Sequence, residues 1–386
     1  MRDKALRRTY FSKKIIHSQL TKSFKNMVKL SVGIDIAKET FQACLMMRYA
    51  DGREVVLSNK NFGNRTSGFT ALLSWVKRCT PKGYVGIKTI FVMEATGVYY
   101  EQLSYFLSDL SLNVSVQLAN NVKNFGKSLN IKTKTDKSDA EVIALMGIER
   151  QLPLWTAPSL VYRQLKQLSR ERLALVEQKT VVKNQKSAIK SSQEPNLDTI
   201  KRMDEHIEFI EEQIQAIEEQ LKKVVASDPV LQKKVENVCT IKGVQLVTAV
   251  TIIAECNGFI LFKNKGQLVS FAGYDVVKKE SGKKEDKNGR ISKKGNKFIR
   301  RALYFPAVTA IRFDSNFKSV ADRITDRTTI KMKGNVAVQR RLLVLIYKLF
   351  INDTVYDVKY QENKVKELQN QGQNSDLKQP ILAEAA

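Results

Sequence analysis

Two apolar runs in this chain, VKLSVGIDIA and TIFVMEA, read as buried β-strands, and each closes on a carboxylate, Asp35 and Glu94. Asp35 lies between Ile34 and Ile36, and Glu94 precedes Ala-Thr-Gly rather than a charged turn. A charge in such apolar surroundings is costly, so both positions need a reason. Around them FQACLMMRYADGREVVLSN predicts two strands joined by an Asp51-Gly52 turn, TSGFTALLSWVKRC and YYEQLSYFLSDL predict helices, and NVSVQLA predicts a short strand. A basic loop then leads to a helix beginning near Asp136. A three-strand meander followed by helix, strand, helix, strand, helix is the element order of an RNase H-like mixed sheet.

Side chains leave a sheet at its strand ends, so Asp35 and Glu94 are expected side by side if their strands are neighbours. Asp136 and Asp139, three apart in KTKTDKSDAE, share one face of a first helical turn. Together the four carboxylates suit Mg²⁺ (or Mn²⁺), and two such ions clamp the attacking and leaving oxygens of a displaced phosphate. Singly, two of them have plainer readings: Asp136 as a helix cap or dipole partner, Asp139 as a solvated first-turn carboxylate.

The 386 residues include 65 Lys and Arg against 39 Asp and Glu, a formal net charge of +26, so the expected partner is a polyanion, nucleic acid first. An anionic membrane is the other candidate, but no run approaches the roughly 20 apolar residues of a spanning helix. A hydrophobic content of 43% supplies two or three cores and excludes a disordered basic tail as the whole answer. Cys44, Cys79, Cys239 and Cys256 show no CxxC spacing, and His17 and His206 are the two histidines. That pattern argues against a structural zinc site, a disulfide framework and a histidine general base, and suits a reducing cytoplasm. Residues 1–26 are basic without a long apolar core, unlike a secretory signal, and read as a basic arm or an upstream extension.

Pro153, Trp155 and Pro158 mark a boundary. Beyond it Met203, Ile207, Ile210, Ile214, Ile217, Leu221 and Val224 form an a/d seam, with Val161, Leu165, Leu168, Leu175, Val182 and Ile189 in the same phase upstream. The stretch SSQEPNLD breaks the two helices, giving an antiparallel hairpin or a dimerising coiled coil. Pro229 ends this segment, and several short helices are expected through to Tyr274. Among them TIKGVQLVTAVTIIAE resembles a helix-hairpin-helix turn, in which amides near Gly243 meet a phosphate; core packing explains its apolar residues equally well. The most basic stretch, VVKKESGKKEDKNGRISKKGNKFIRRALYFPAV, predicts two glycine-punctuated turns and a helix opening near Asn296, with Arg300 and Arg301 outward and Leu303 and Phe305 packed. Ser281 falls in a loop there. Lys283, Lys284, Arg290, Ser292, Lys293, Lys294, Arg300 and Arg301 are the candidate nucleic-acid contacts, against the plainer reading of a solvated basic loop.

Taken in order, GIDIAKETF, VMEATGVYYEQL, NVKNFGKSLNIKTKTDKSDAEVIA, the heptad helices, TIKGVQLVTAVTIIAE and LVSFAGYDVVKKESGKKEDKNGRISKKGNKFIRRALY resemble the IS-one-ten family of insertion-sequence transposases. The likeness runs from about Val28 to about Phe350, leaving the leader and the polar tail unmatched. It implies a RuvC-like domain over 27–155 with a DEDD metal site of Asp35, Glu94, Asp136 and Asp139, then a coiled-coil hairpin over 156–228. A mainly α C-terminal transposase domain follows over 229–352, with Ser281 as its nucleophile and Ser292 as a phosphate or structural contact; 353–386 is expected as a disordered tail. The implied partners are donor and target DNA, a structured noncoding RNA from the element, and further copies of the chain as a dimer or tetramer, near the nucleoid. With no histidine close in sequence, the serine would need metal or surrounding cations to activate it. Two rival readings are a RuvC-like DNA junction nuclease that uses water, and a non-catalytic coiled-coil protein that binds nucleic acid.

Overall fold

The computed structural model describes residues 27–81, 88–130, 135–277, 280–281, 284–285 and 290–359, the side chains of Met27, Glu280, Ser281, Lys284 and Glu285 excepted. The leader, Lys283 and the tail beyond 359 lie outside the described residues. Two compact units divide between Ala157 and Pro158, within the stretch marked by Pro153, Trp155 and Pro158.

The first unit contains β1 (Met27–Ile36), β2 (Thr40–Tyr49), β3 (Glu54–Gly63), α1 (Thr66–Cys79), β4 (Ile90–Glu94), α2 (Glu101–Asp109), β5 (Asn113–Gln117), α3 (Ala119–Ser128) and α4 (Asp136–Glu149). Its sheet runs β3-β2-β1-β4-β5, with the first three strands antiparallel and β1, β4 and β5 parallel. This is the RNase H-like mixed sheet that the element order predicts. The hairpin turn falls at Asp51-Gly52, where Gly52 takes a φ of 86° and the Asp51 carboxylate accepts bonds from Arg53. Alternation sorts β1 into two faces. Leu30, Val32, Ile34 and Ile36 pack with Phe69, Leu72 and Trp75 of α1 and Leu103 and Leu107 of α2. On the opposite face α4 lays Ala140, Ala144 and Ile148 over Cys44 and Met46, while Val142, Ile143 and Met146 meet Val92. Within the stretch read as a basic loop, Ala119–Ser128 form the helix α3, whose buried residues are Val122 and Phe125.

In the second unit α5 (Leu160–Lys190) and α6 (Leu197–Ala226) form an antiparallel hairpin around the Pro195 break. Lys186 pairs with Asp204, and Arg172 with Glu218 at 2.7 Å. Such pairs contribute only about 0–1 kcal/mol each, so the seam of Val182, Ile207, Ile210 and Ile214 carries the packing. At its base Leu165, Ile217, Leu221 and Val225 enter the core of the short helices, so the hairpin is an arm of this unit. The buried stripe of α6 ends on Val225, with Val224 only partly covered.

The remaining helices are α7 (Pro229–Cys239), α8 (Leu246–Glu255), α9 (Lys265–Ala272), α10 (Lys297–Ala302), α11 (Tyr304–Phe313), α12 (Ser315–Thr328) and α13 (Lys331–Asn352). They gather around α13, whose Val338, Leu342, Leu343 and Ile346 are fully buried. Pro229, which ends the hairpin, also opens α7, with the Asp228 carboxylate accepting from the amides of Val230 and Leu231. Between α9 and α10, where loops were expected, β6 (Val276–Val277) pairs with β9 (Arg290–Ile291), and β7 (Glu280–Ser281) pairs with β8 (Lys284–Glu285). The core also continues past residue 352, the expected start of the tail. Asp353 binds Lys233 and Asn237, and the Tyr356 hydroxyl donates to Asp314 Oδ2 at 2.6 Å.

Candidate active site

β1 and β4 are in parallel register, with Gly33 opposite Val92 and Ile34 opposite Met93. One step further on, Asp35 and Glu94 stand at the C-terminal ends of neighbouring strands. Val92 belongs to the α4 side of the sheet, so by alternation Glu94 and Asp35 both face α4.

Three successive contacts fix how α4 crosses that face. At the start of β1, Lys29 Nζ donates to the carbonyls of Ile148 and Arg150 at 2.9 and 2.8 Å, a cationic cap on the helix C-terminus. Burial, with Arg48 nearby, lowers the pKa of that amine. Next, a Cβ on Gly147 would overlap Ser31 Oγ. Then a Cβ on Gly33 would overlap the backbone of Ala140 and Ala144, so helix and strand touch there only because a side chain is missing. α4 therefore runs antiparallel to β1, and continuing the same progression brings its first turn to the Asp35 end.

That first turn is capped by Thr135 and Ser138. Thr135 Oγ1 accepts from the Ser138 amide at 3.1 Å, and Ser138 Oγ accepts from the Thr135 amide at 2.8 Å. Capping therefore does not explain Asp136, which is exposed, while Asp139, Asp35 and Glu94 are half-buried. Element placement thus brings the ends of β1 and β4 and the first turn of α4 to one edge of the sheet. Among the described residues, however, no three His, Cys, Asp or Glu side chains are drawn into a metal-holding group. As a donor set the four offer hard carboxylate oxygens and no nitrogen or sulfur, which suits Mg²⁺ or Mn²⁺ and not zinc.

A residue with no signal in the sequence fixes the two strand ends relative to each other. Asn64, just after β3, donates from Nδ2 to Ala37 O at 3.0 Å and to Tyr99 O at 3.1 Å. Its amide donates to Glu39 O at 2.8 Å. It thereby ties the loop that follows Asp35 to the loop that follows Glu94. Cys44, behind this edge, has its thiol pushed up to about 12 by burial and by Glu141, so it is no nucleophile at neutral pH.

In the second unit Ser281 sits on β7 opposite Lys284 of β8, rather than in an open loop. Ser292 is held in place by its backbone and side chain: its amide donates to Asp275 O at 2.7 Å and its Oγ accepts from the Lys294 amide. Of the two arginines expected outward, Arg300 is half-buried and donates to Ala272 O at 2.7 Å, and Arg301 pairs with Glu177. Arg290, Lys293 and Lys294 are exposed. The segment after the ribbons is anchored by Glu255, whose side chain is 1% exposed. Its carboxylate accepts two bonds from Arg170 at 2.6 and 2.9 Å and one from Asn296 Nδ2 at 2.7 Å. Asn296 in turn caps α10 through the amides of Phe298 and Ile299. Gly243, at φ 92°, has a structural reason: a Cβ there would stand 2.8 Å from Thr309 Cβ and 3.0 Å from Pro306 O. Packing against α11 explains this glycine without a phosphate.

Residues 32–189 match a DEDD-type IS110 transposase model, and residues 235–322 match a model described as Transposase IS116/IS110/IS902 family. Together they cover more than half of the chain. Pilin gene-inverting proteins of Moraxella bovis and Moraxella lacunata are each 26% identical over 347 residues, covering 87% of this chain and 100% of theirs. A solved structure of Thermus thermophilus RuvC is similar at 12% identity and a TM-score of 0.23, over 32% of this chain and 99% of that one. Among the described residues no helix is long and apolar enough to cross a membrane.

Proposed function

Because this chain belongs to the IS116/IS110/IS902 family of transposases, we propose that it cuts and rejoins DNA through a covalent phosphoserine at Ser281, guided by a noncoding RNA of its own element. The observation that carries the reading is the strand-end pair of Asp35 and Glu94, with the first turn of α4 brought to the same edge. Asp35, Glu94, Asp136 and Asp139 would hold Mg²⁺ or Mn²⁺. When bound, such a cation supplies Lewis-acid stabilisation of charge on phosphate oxygens.

In the proposed step Ser281 Oγ attacks a backbone phosphorus. A new serine O–P bond forms, the P–O bond to the adjoining nucleotide breaks, and the departing strand leaves as a free hydroxyl bearing the serine's proton. A hydroxyl of the new strand then attacks the phosphoserine, reforming the diester and returning a proton to Ser281. The number of phosphoester bonds is unchanged throughout, so no nucleotide triphosphate is consumed. Lys and Arg around the ribbons, among them the exposed Arg290, Lys293 and Lys294, hold the DNA and RNA backbones by charge.

Strand rejoining is favoured over simple hydrolysis by the relatives' names. Inverting a gene leaves DNA intact only if every cut strand is resealed. The carboxylates and the serine belong to different compact units, and the chain would act as a dimer or tetramer, in the cytoplasm at the nucleoid.

The test uses purified chain, its RNA and DNA carrying an element end. Asp35→Asn and Glu94→Gln should each retain DNA affinity and slow strand cleavage about a hundredfold or more. Cleavage at the unaltered rate in both variants would sink the carboxylate half of the proposal, and binding without any cleavage by the unaltered chain would favour a purely DNA-binding protein.

A further inference from the structure

Phe305, expected in the core, is 74% exposed. The reason lies in how α11 is turned. Its small residues Pro306, Ala307 and Ala310 face inward, and Tyr304, Val308 and Phe313 are turned out with Phe305, at 38%, 44% and 57% exposure. A helix that hides its small side chains and shows its large ones is built for contact. The rings of Tyr304 and Phe305 lie 5.1 Å apart, edge to face, and the Arg312 guanidinium sits over the Phe313 ring at 5.2 Å. Tyr304, Val308 and Arg312 recur at helical spacing, so aromatic and cationic groups share one stripe.

Charge selects the occupant of this stripe. From Arg290 to Phe313 the sequence has no Asp or Glu, and Lys293, Lys294, Lys297 and Arg301 precede the aromatics. Arg301 is paired with Glu177, but Lys293, Lys294 and Arg312 are exposed, and an exposed aromatic and cationic stripe matches a strand that presents flat bases and a phosphate backbone. The geometry points to α11 as a stacking platform for unpaired bases of a single DNA strand, Phe305 taking the base and Arg312 the adjoining phosphate. The inference rests on the DNA-processing reading above and assigns it a place. β9, which pairs with β6 on either side of the Ser281 ribbon in sequence, is followed by α10 and then α11.

Binding of a fluorescent single-stranded DNA to the full chain, read by anisotropy, tests this against a duplex and an RNA of the same sequence. Phe305→Ala should weaken single-strand binding about fivefold or more, Phe305→Trp should restore it, and duplex affinity and the melting temperature should stay unchanged. Equal affinity of the alanine variant for the single strand, a loss confined to RNA, or a change of oligomeric mass without a change in DNA binding would each overturn the platform. Its failure is separable from failure of the chemistry. A chain that forms the Ser281 adduct but binds single strands independently of Phe305 loses only the platform, whereas a chain that needs Phe305 but forms no adduct loses only the phosphoserine.

Discussion

Asp35 and Glu94 stand on paired strands of ten and five residues, on the face sealed by a helix that Gly33 and Gly147 let in, whereas Ser281 stands on a strand of two residues paired with another of two. The carboxylate edge is placed by a core. The serine ribbon is placed by its attachments: the β6–β9 pair before and after it, and the Glu255 network that holds α10 behind it. In the proposed chemistry the sheet edge would supply the carboxylates and the ribbon the serine, each from its own unit.

Gly33→Ala strikes the first arrangement hardest. The new methyl would occupy the backbone of Ala140 and Ala144, so α4 must lift from the sheet at a cost of about 3 kcal/mol. Both tryptophans of the chain, Trp75 and Trp155, lie in the first unit, so their fluorescence on urea unfolding reads that loss directly. An unshifted midpoint would mean that α4 does not need the glycine.

Glu255→Gln strikes the second arrangement. It removes the charge that holds Arg170 while keeping an acceptor for Asn296, and should cost about 2 kcal/mol. The loss should appear in the helical circular dichroism signal and leave the tryptophan transition in place. A shift seen equally by both probes would show that the two units do not unfold as separately as their contacts suggest.

The smallest expected effect sharpens the comparison most. Asn64→Asp keeps the shape of the side chain but removes the donor that joins Ala37 O to Tyr99 O. Cleavage should fall about tenfold, as for a residue that orients metal ligands, and Mn²⁺ affinity measured by electron paramagnetic resonance should fall with it. The tryptophan transition should move by no more than about 1 kcal/mol. Unchanged Mn²⁺ affinity would reduce Asn64 to a loop staple.

The same contrast explains what could be read from sequence. β1 and β4 were legible because burial on both faces writes a continuous apolar run, and the charges that end such runs stand out. α3 was not, because Val122 and Phe125 are too few to establish a helical period among Asn, Lys and Gly. The ribbon of Ser281 was not, because a two-residue strand has no period at all. Phe305 was placed on the wrong side because ALYFPAV offers α11 two apolar faces, and the one with the smaller residues fits beneath Gly243. Asn64 left no trace, since its role exists only once two distant loops have been brought within its reach.

The central claim is that a DNA phosphate passes through Ser281. Cleavage reactions stopped in denaturant, digested and mapped by mass spectrometry should yield the peptide containing Ser281 with a nucleotide phosphate on the serine, and Ser281→Ala should yield no adduct and no rejoined DNA. An adduct on another residue, or strand cleavage at full rate by the unaltered chain with no adduct at any time point, would contradict it.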